Sequence, residues 1–170
     1  MSAVAATRPV RADQTGHPVF RQAGRGDLGV LKPLYRSACD AWARSLGREP
    51  TASNFDWLLD AVDEGAVWIA KRGGHVLGAM TLARAGDTWS IDEIVVSPLR
   101  QGRGIGSWML ARAGEKAPDQ GIGRLQLCTA KKRTDLVAWY GRSGFSIVRE
   151  IPGSRFRDGQ IRVHMEKRLS

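Results

Sequence analysis

Apolar positions recur every third or fourth residue in GDLGVLKPLYRSACDAWARSLG, where Leu28, Leu31, Leu34, Tyr35, Ala38 and Trp42 share one face. That spacing predicts a helix, with Pro33 in an early turn or at a bend. PVFRQA, just before it, is a short strand candidate. SNFDWLLDAVDEG opens on a serine suited to capping, keeps Phe55, Leu58, Leu59 and Val62 together, and ends at Gly65, which predicts a second, short helix. The pattern then changes. AVWIAKR, HVLGAMTLAR and TWSIDEIVVS follow one another across a Gly-Gly turn and an Ala-Gly-Asp turn, so they predict antiparallel hairpins. Ile105, Trp108, Met109 and Leu110 begin another helix, which Pro118 should stop. RLQLCTA is predicted as a buried strand, TDLVAWYGRSG as a helix closed by Gly144, and FSIVREI and IRVHMEKRL as two terminal strands. The order β, α, α, β, β, β, α, β, α, β, β predicts one α+β domain over residues 18–170, built around a mostly antiparallel sheet. Residues 1–17 lack apolar periodicity and are expected to form a flexible extension.

Composition narrows the functional classes. A chain of 170 residues, 42% hydrophobic, suffices for one sizeable core. No apolar run approaches the roughly 20 residues of a membrane span, and the N-terminus lacks the apolar segment of a signal peptide, so a soluble, cytoplasmic protein with no membrane partner is expected. Cys39 and Cys128 are too few for a disulfide framework, and His17, His75 and His164 are scattered, so no metal is expected. The net charge of +9 points to an anionic partner. Between residues 100 and 133, eight basic side chains face only Glu115 and Asp119, so most of the excess surrounds one segment.

That segment is SPLRQGRGIGSWML, residues 97–110. A strand exit followed by glycines and a helix start presents consecutive backbone N–H groups and the positive end of a helix dipole, a combination that binds anions. It is not a Walker loop, because no Gly-Lys-Ser/Thr follows, and hairpins instead of a βαβ crossover surround it, which argues against a dinucleotide fingerprint. Gln101-Gly102-Arg103-Gly104-Ile105-Gly106 resembles the Q/R-x-x-G-x-G/A signature of the GNAT superfamily of N-acetyltransferases. IVVSPLR is similar to the exit of that family's fourth strand and AWYGRSGF to its fourth helix and turn. The resemblance covers about residues 18–168 and implies a mixed sheet of six to seven strands flanked by four helices.

It also implies a site. Acetyl-coenzyme A would sit in a V-shaped opening between the fourth strand and the strand holding Leu125 to Thr129. Its pantetheine arm would pair with the backbone of Ile94, Val95 and Val96, and the amides of Gln101, Gly102, Arg103, Gly104, Ile105, Gly106 and Ser107 would cradle the pyrophosphate. Arg100, Arg103 and the Lys131-Lys132-Arg133 run are suited to attract its adenosine 3′-phosphate end. Tyr140 matches the tyrosine that protonates the coenzyme A sulfur, with Leu136 and Trp139 holding its ring. The N–H of Val96 would meet the developing oxyanion, at a strand irregularity that family members carry. The proton acceptor would be Asp92 or Glu93, which strand alternation sends to opposite faces. Asp92 is favoured by its spacing from Gln101, as in polyamine acetyltransferases. The asparagine that often opens the fourth helix is replaced here by Arg133 or Asp135, and Cys128 reads as a buried structural thiol.

Acceptor specificity in this family comes from the first two helices, the loop between them and the link between the last two strands. Here those segments offer Trp42, Phe55, Trp57, Arg44 and Arg48, then Arg155, Phe156 and Arg157, which suits an amine that also carries a carboxylate or an aromatic ring. The resemblance leaves three readings open: a small-molecule amine, a macromolecular acceptor such as aminoacyl-tRNA or a protein amine, and an acetyl-coenzyme A sensor without turnover. It leaves a homodimer open by analogy alone.

Overall fold

The computed structural model describes residues 16–45, 47–50 and 53–170, so most of the predicted N-terminal extension lies outside the described residues. The elements run β1 (Val19–Gln22), α1 (Leu28–Ser45), α2 (Trp57–Asp63), β2 (Val67–Arg72), β3 (His75–Ala85), β4 (Thr88–Val96), α3 (Ile105–Lys116), β5 (Arg124–Ala130), α4 (Thr134–Arg142), β6 (Ser146–Ile151) and β7 (Arg162–Arg168). The strands form one seven-stranded sheet in the order β1-β2-β3-β4-β5-β7-β6. Every neighbouring pair is antiparallel except β4 and β5. The predicted element order, single domain and mixed sheet are therefore present.

Each face of the sheet has its own core. On one face, Leu31, Leu34 and Tyr35 of α1 and Leu58 and Val62 of α2 pack against Val67, Ile69, Ala79 and Val95. On the other, Met109, Leu110 and Ala113 of α3 pack against Trp68, Met80, Leu82, Trp89 and Ile91, with Val137, Trp139 and Tyr140 of α4 at the margin. Pro33 is the sixth residue of α1 and is exposed, so the helix runs through it with one backbone donor missing. Gly78 of β3 lets α3 approach: a Cβ there would stand 2.7 Å from the Val95 carbonyl oxygen and 3.0 Å from Met109 Cε.

One boundary differs from the prediction. The second helix begins at Trp57, with no side-chain cap at Asp56. Phe55 has φ +54°, a left-handed conformation that ends any helix upstream of it. Ser53 Oγ accepts instead from the Phe55 N–H at 3.2 Å, and Asn54 Oδ1 from the Asp56 N–H at 3.3 Å, so both polar side chains serve a turn. Among the described residues, no helix is long and apolar enough to cross a membrane, and no group of three or more His, Cys, Asp or Glu side chains converges as a metal site would require.

Candidate active site

The only parallel pair among the described residues is also the shortest. β4 meets β5 through Thr88, Trp89 and Ser90 against Arg124, Leu125 and Gln126, and beyond Ser90 the two strands part. On its other edge β4 stays paired with β3 as far as the Ser97 N–H, which donates to the Leu77 carbonyl at 3.1 Å. Antiparallel pairing alternates, so this bond turns the main-chain groups of Ile94 and Val96 away from β3 and into the gap. The Val96 carbonyl accepts from Gln101 Nε2 at 3.2 Å, which ties the strand end to the glycine turn.

A bulge governs the floor of this gap. Thr81 is opposite Glu93 and Leu82 is opposite Ile91, so Asp92 is an extra residue without a partner on β3. The insertion slips the alternation by one position. Trp89 and Ile91 face the α3 core, whereas beyond the bulge Val95 packs with the α1 core and Ile94 and Val96 take up the α3 side. The irregularity expected at Val96 therefore lies at Asp92, and Val96 stays opposite Gly78. The shift was visible in the sequence as apolar residues at 89 and 91 followed by 94 and 96, a signal that the intervening Val95 obscures.

The two adjacent carboxylates consequently occupy different settings. Asp92 is exposed and accepts from Ser90 Oγ at 3.1 Å. Glu93 is half-buried, and its buried Oε2 has no hydrogen-bond partner among the described residues. Desolvation, and then the charge of Asp92, push the Glu93 carboxyl above the ordinary carboxylate range.

After Pro98–Arg100, Gly102 and Gly104 adopt left-handed φ of 73° and 78°, and Gly104 is the N-cap of α3. Only glycine enters those conformations without strain. The first intrahelical donor is the Trp108 N–H, bonded to the Gly104 carbonyl at 2.9 Å, so the N–H groups of Ile105, Gly106 and Ser107 have no acceptor within the helix. Gly106 admits an aromatic ring: a Cβ there would lie 3.1 Å from Trp139 Cζ2. Trp139 Nε1 donates to Ser107 Oγ at 2.8 Å, and its ring lies 4.7 Å from that of Tyr140. Trp139 thus anchors the glycine turn as well as Tyr140, a contact that no spacing in the sequence reveals.

Tyr140 also packs edge-on to Phe145 at 5.8 Å, and its hydroxyl makes no hydrogen bond among the described residues. Burial pushes its pKa up to about 12, so the phenol stays protonated at neutral pH.

These groups enclose one cleft of about 900 Å³. Asp92, Glu93, Ile94, Val95, Val96, Gln101, Gly102, Gly104, Ile105, Gly106, Ser107 and Tyr140 all line it, as do Arg100 and Arg133; Arg103, Lys131 and Lys132 do not and are exposed. Cys128 also lines the cleft and is exposed, contrary to the expected buried thiol, because alternation along β5 gives Leu125 and Leu127 to the core and turns Cys128 outward. Of the specificity residues named from the sequence, Trp42 lines the cleft and the others do not; Ala38, Cys39, Ala41 and Ser45 of α1 line it beside Trp42. Phe55 is buried, Trp57 stands edge-on to Tyr35 at 5.5 Å, and Phe156 is stacked by Arg162 at 4.3 Å.

The basic segment is partly neutralised. Arg112 pairs with Glu115, Arg124 with Glu166, Lys131 with Glu150 and Arg133 with Asp135, whereas Arg100 and Arg103 make no ion pair among the described residues. A second hollow of about 270 Å³ beyond Trp139 adds Arg142 and Lys167 beside Ser107.

The model of the acetyltransferase (GNAT) family matches residues 31–145. The chain belongs to the GNAT acetyltransferase family. As a GNAT protein it is an acyltransferase, and its fold is that of solved family structures. It is similar to the PaiA N-acetyltransferase of Thermoplasma acidophilum, solved in complex with coenzyme A, at 16% identity and a TM-score of 0.71 over 90% of this chain and 99% of that one. YncA of Salmonella typhimurium, solved with its cofactor acetyl-coenzyme A, aligns at 18% identity and a TM-score of 0.71 over 91% and 95% of the two chains. The ribosomal-protein-S18-alanine N-acetyltransferase of Escherichia coli aligns at 16% identity and 0.70 over 91% and 95%. No curated protein matches the sequence.

Proposed function

We propose that this GNAT protein binds acetyl-coenzyme A in the cleft between β4 and β5 and transfers the acetyl group to the primary amine of a small metabolite or amino acid. The observation that carries the reading is the continuity of unpaired main-chain donors, from the outward-facing edge of Ile94 and Val96 to the bare N-terminus of α3. The first suits the amides of a pantetheine arm and the second a pyrophosphate. Arg100 and Arg103 supply uncommitted positive charge at the anionic end, and Arg142 and Lys167 suit the 3′-phosphate better than the ion-paired Lys131 and Arg133.

When bound, acetyl-coenzyme A supplies an acetyl thioester. The chain supplies proton transfers and placement. Glu93 Oε2, raised in pKa and unpartnered, suits acceptance of the amine's proton better than the exposed Asp92, so the weight shifts from Asp92 to Glu93. Tyr140 Oη retains its proton at neutral pH and suits donation to the departing sulfur. Trp139 and Phe145 fix the Tyr140 ring, and no protein nucleophile is required.

The test is release of coenzyme A thiol from acetyl-coenzyme A with free amino acids and small amines, peptides with free N-termini, and aminoacylated tRNA, each as a separate arm. Turnover confined to the first arm supports the reading. Turnover confined to either macromolecular arm replaces its acceptor class, and cofactor binding without turnover in any arm favours a sensor.

A further inference from the structure

The inward stripe of α1 changes surroundings along its length. Leu31, Leu34 and Tyr35 are buried in the core, but Ala38, Cys39 and Trp42, continuing the same stripe, line the cleft. Trp42 is 45% exposed although it lies on that inward face, so the last turn of α1 overhangs the opening. From the opposite arm, Arg133 at the N-cap of α4 reaches across and stacks on it, with Cζ 4.3 Å from the ring centroid. Arg133 Nε and Nη2 are held by Asp135 at 2.9 and 2.7 Å, and Nη1 has no partner among the described residues. The guanidinium is thus fixed in plane by an exposed carboxylate and in height by an indole, with one donor edge uncommitted. Glu93, whose buried Oε2 has no partner among the described residues, lines the same cleft, as do the small side chains Ala38 and Ala41.

The cleft therefore holds both an acid and a guanidinium stacked on an aromatic plane. We propose that Trp42 and Arg133 form the recognition end of the acceptor site and select an amine that carries a carboxylate, that is, a free amino acid. Its carboxylate takes the Nη1 edge of Arg133, its carbon chain lies against Trp42, and its amino group points toward Glu93. The two-point ion pair with Asp135 uses Nε and Nη2 and orients the guanidinium, which leaves the Nη1 edge for a second carboxylate. This inference rests on the acetyltransferase reading and specifies its acceptor.

The experiment compares matched pairs, an amino acid and the amine left by removing its carboxylate: phenylalanine with phenethylamine, and leucine with isopentylamine. Thiol release gives kcat/KM for each, in the wild type and in Arg133→Met, which keeps an unbranched apolar stem but not the charged guanidinium. The wild type is expected to favour the amino acid of a pair by about 10- to 100-fold, through KM, as for a charge-assisted hydrogen bond made or lost. Arg133→Met should bring that ratio to about one, by loss of the same hydrogen bond. Trp42→Ala should raise KM for phenylalanine more than kcat falls. Equal use of both members of a pair by the wild type, an unchanged ratio in Arg133→Met, or turnover only of peptide or tRNA acceptors overturns the proposal. Calorimetry with acetyl-coenzyme A separates the two levels. If Arg133→Met binds it and the ratio is unmoved, the acceptor assignment fails alone; if the wild type does not bind it, the acetyltransferase reading fails with it.

Discussion

Glu93 is held where its charge is disfavoured, beside Asp92 and with a buried oxygen that no donor reaches. Because its folded-state pKa is raised, its ionisation opposes folding, and stability falls as pH rises from the ordinary carboxylate range through the raised value. Glu93→Gln removes that opposition. The variant should lose activity by about 10²- to 10⁴-fold in kcat, as for loss of a general base, while its melting temperature at neutral pH rises by roughly 2–4 °C. Loss of both together would indicate a structural carboxylate. In the wild type, kcat/KM should climb with pH through the raised pKa, and a profile that stays flat from the ordinary carboxylate range to neutrality would remove Glu93 from proton transfer. Tyr140→Phe keeps the ring between Trp139 and Phe145 and deletes only the hydroxyl, so it should cut kcat by at least about tenfold at nearly unchanged melting temperature.

At the scale of elements, the start of α3 and the face of α4 form one unit through Gly106, Trp139 and Ser107. Gly106→Val would drive a branched side chain into the Trp139 ring and across the exposed amides. Acetyl-coenzyme A affinity measured by calorimetry should fall by at least about tenfold, consistent with loss of charge-assisted backbone contacts. The glycine turn was legible from residues 97–110 because left-handed backbone and bare amides both demand glycine, and the hairpins were legible from their turn residues. Two features were not. The start of α2 depends on Phe55 adopting a conformation that glycine or asparagine ordinarily takes, so the serine upstream reads as a cap when it belongs to a turn. The bulge at Asp92 is a non-local property of the β3–β4 register, and it decides which carboxylate is buried. The Arg133–Trp42 stack joins residues 91 positions apart, beyond the reach of any local pattern.

The whole molecule carries a net charge of +9, and the cations left unpaired near the cleft include Arg100 and Arg103. A polyanionic ligand should therefore associate with a salt-sensitive rate. Stopped-flow measurements of acetyl-coenzyme A binding are expected to show an association rate that falls by about tenfold or more as ionic strength rises from 0.01 to 0.5 M, as in other steered encounters. A salt-independent rate would assign the excess charge to another partner. The splayed pair of parallel strands, one edge left unpaired and running into a bare helix terminus, is the feature on which the functional reading stands. A calorimetric titration of the wild-type chain with acetyl-coenzyme A tests it most directly. Saturable one-to-one binding, weakened in Gly106→Val, is the predicted result; no binding by the folded wild-type chain would contradict the account.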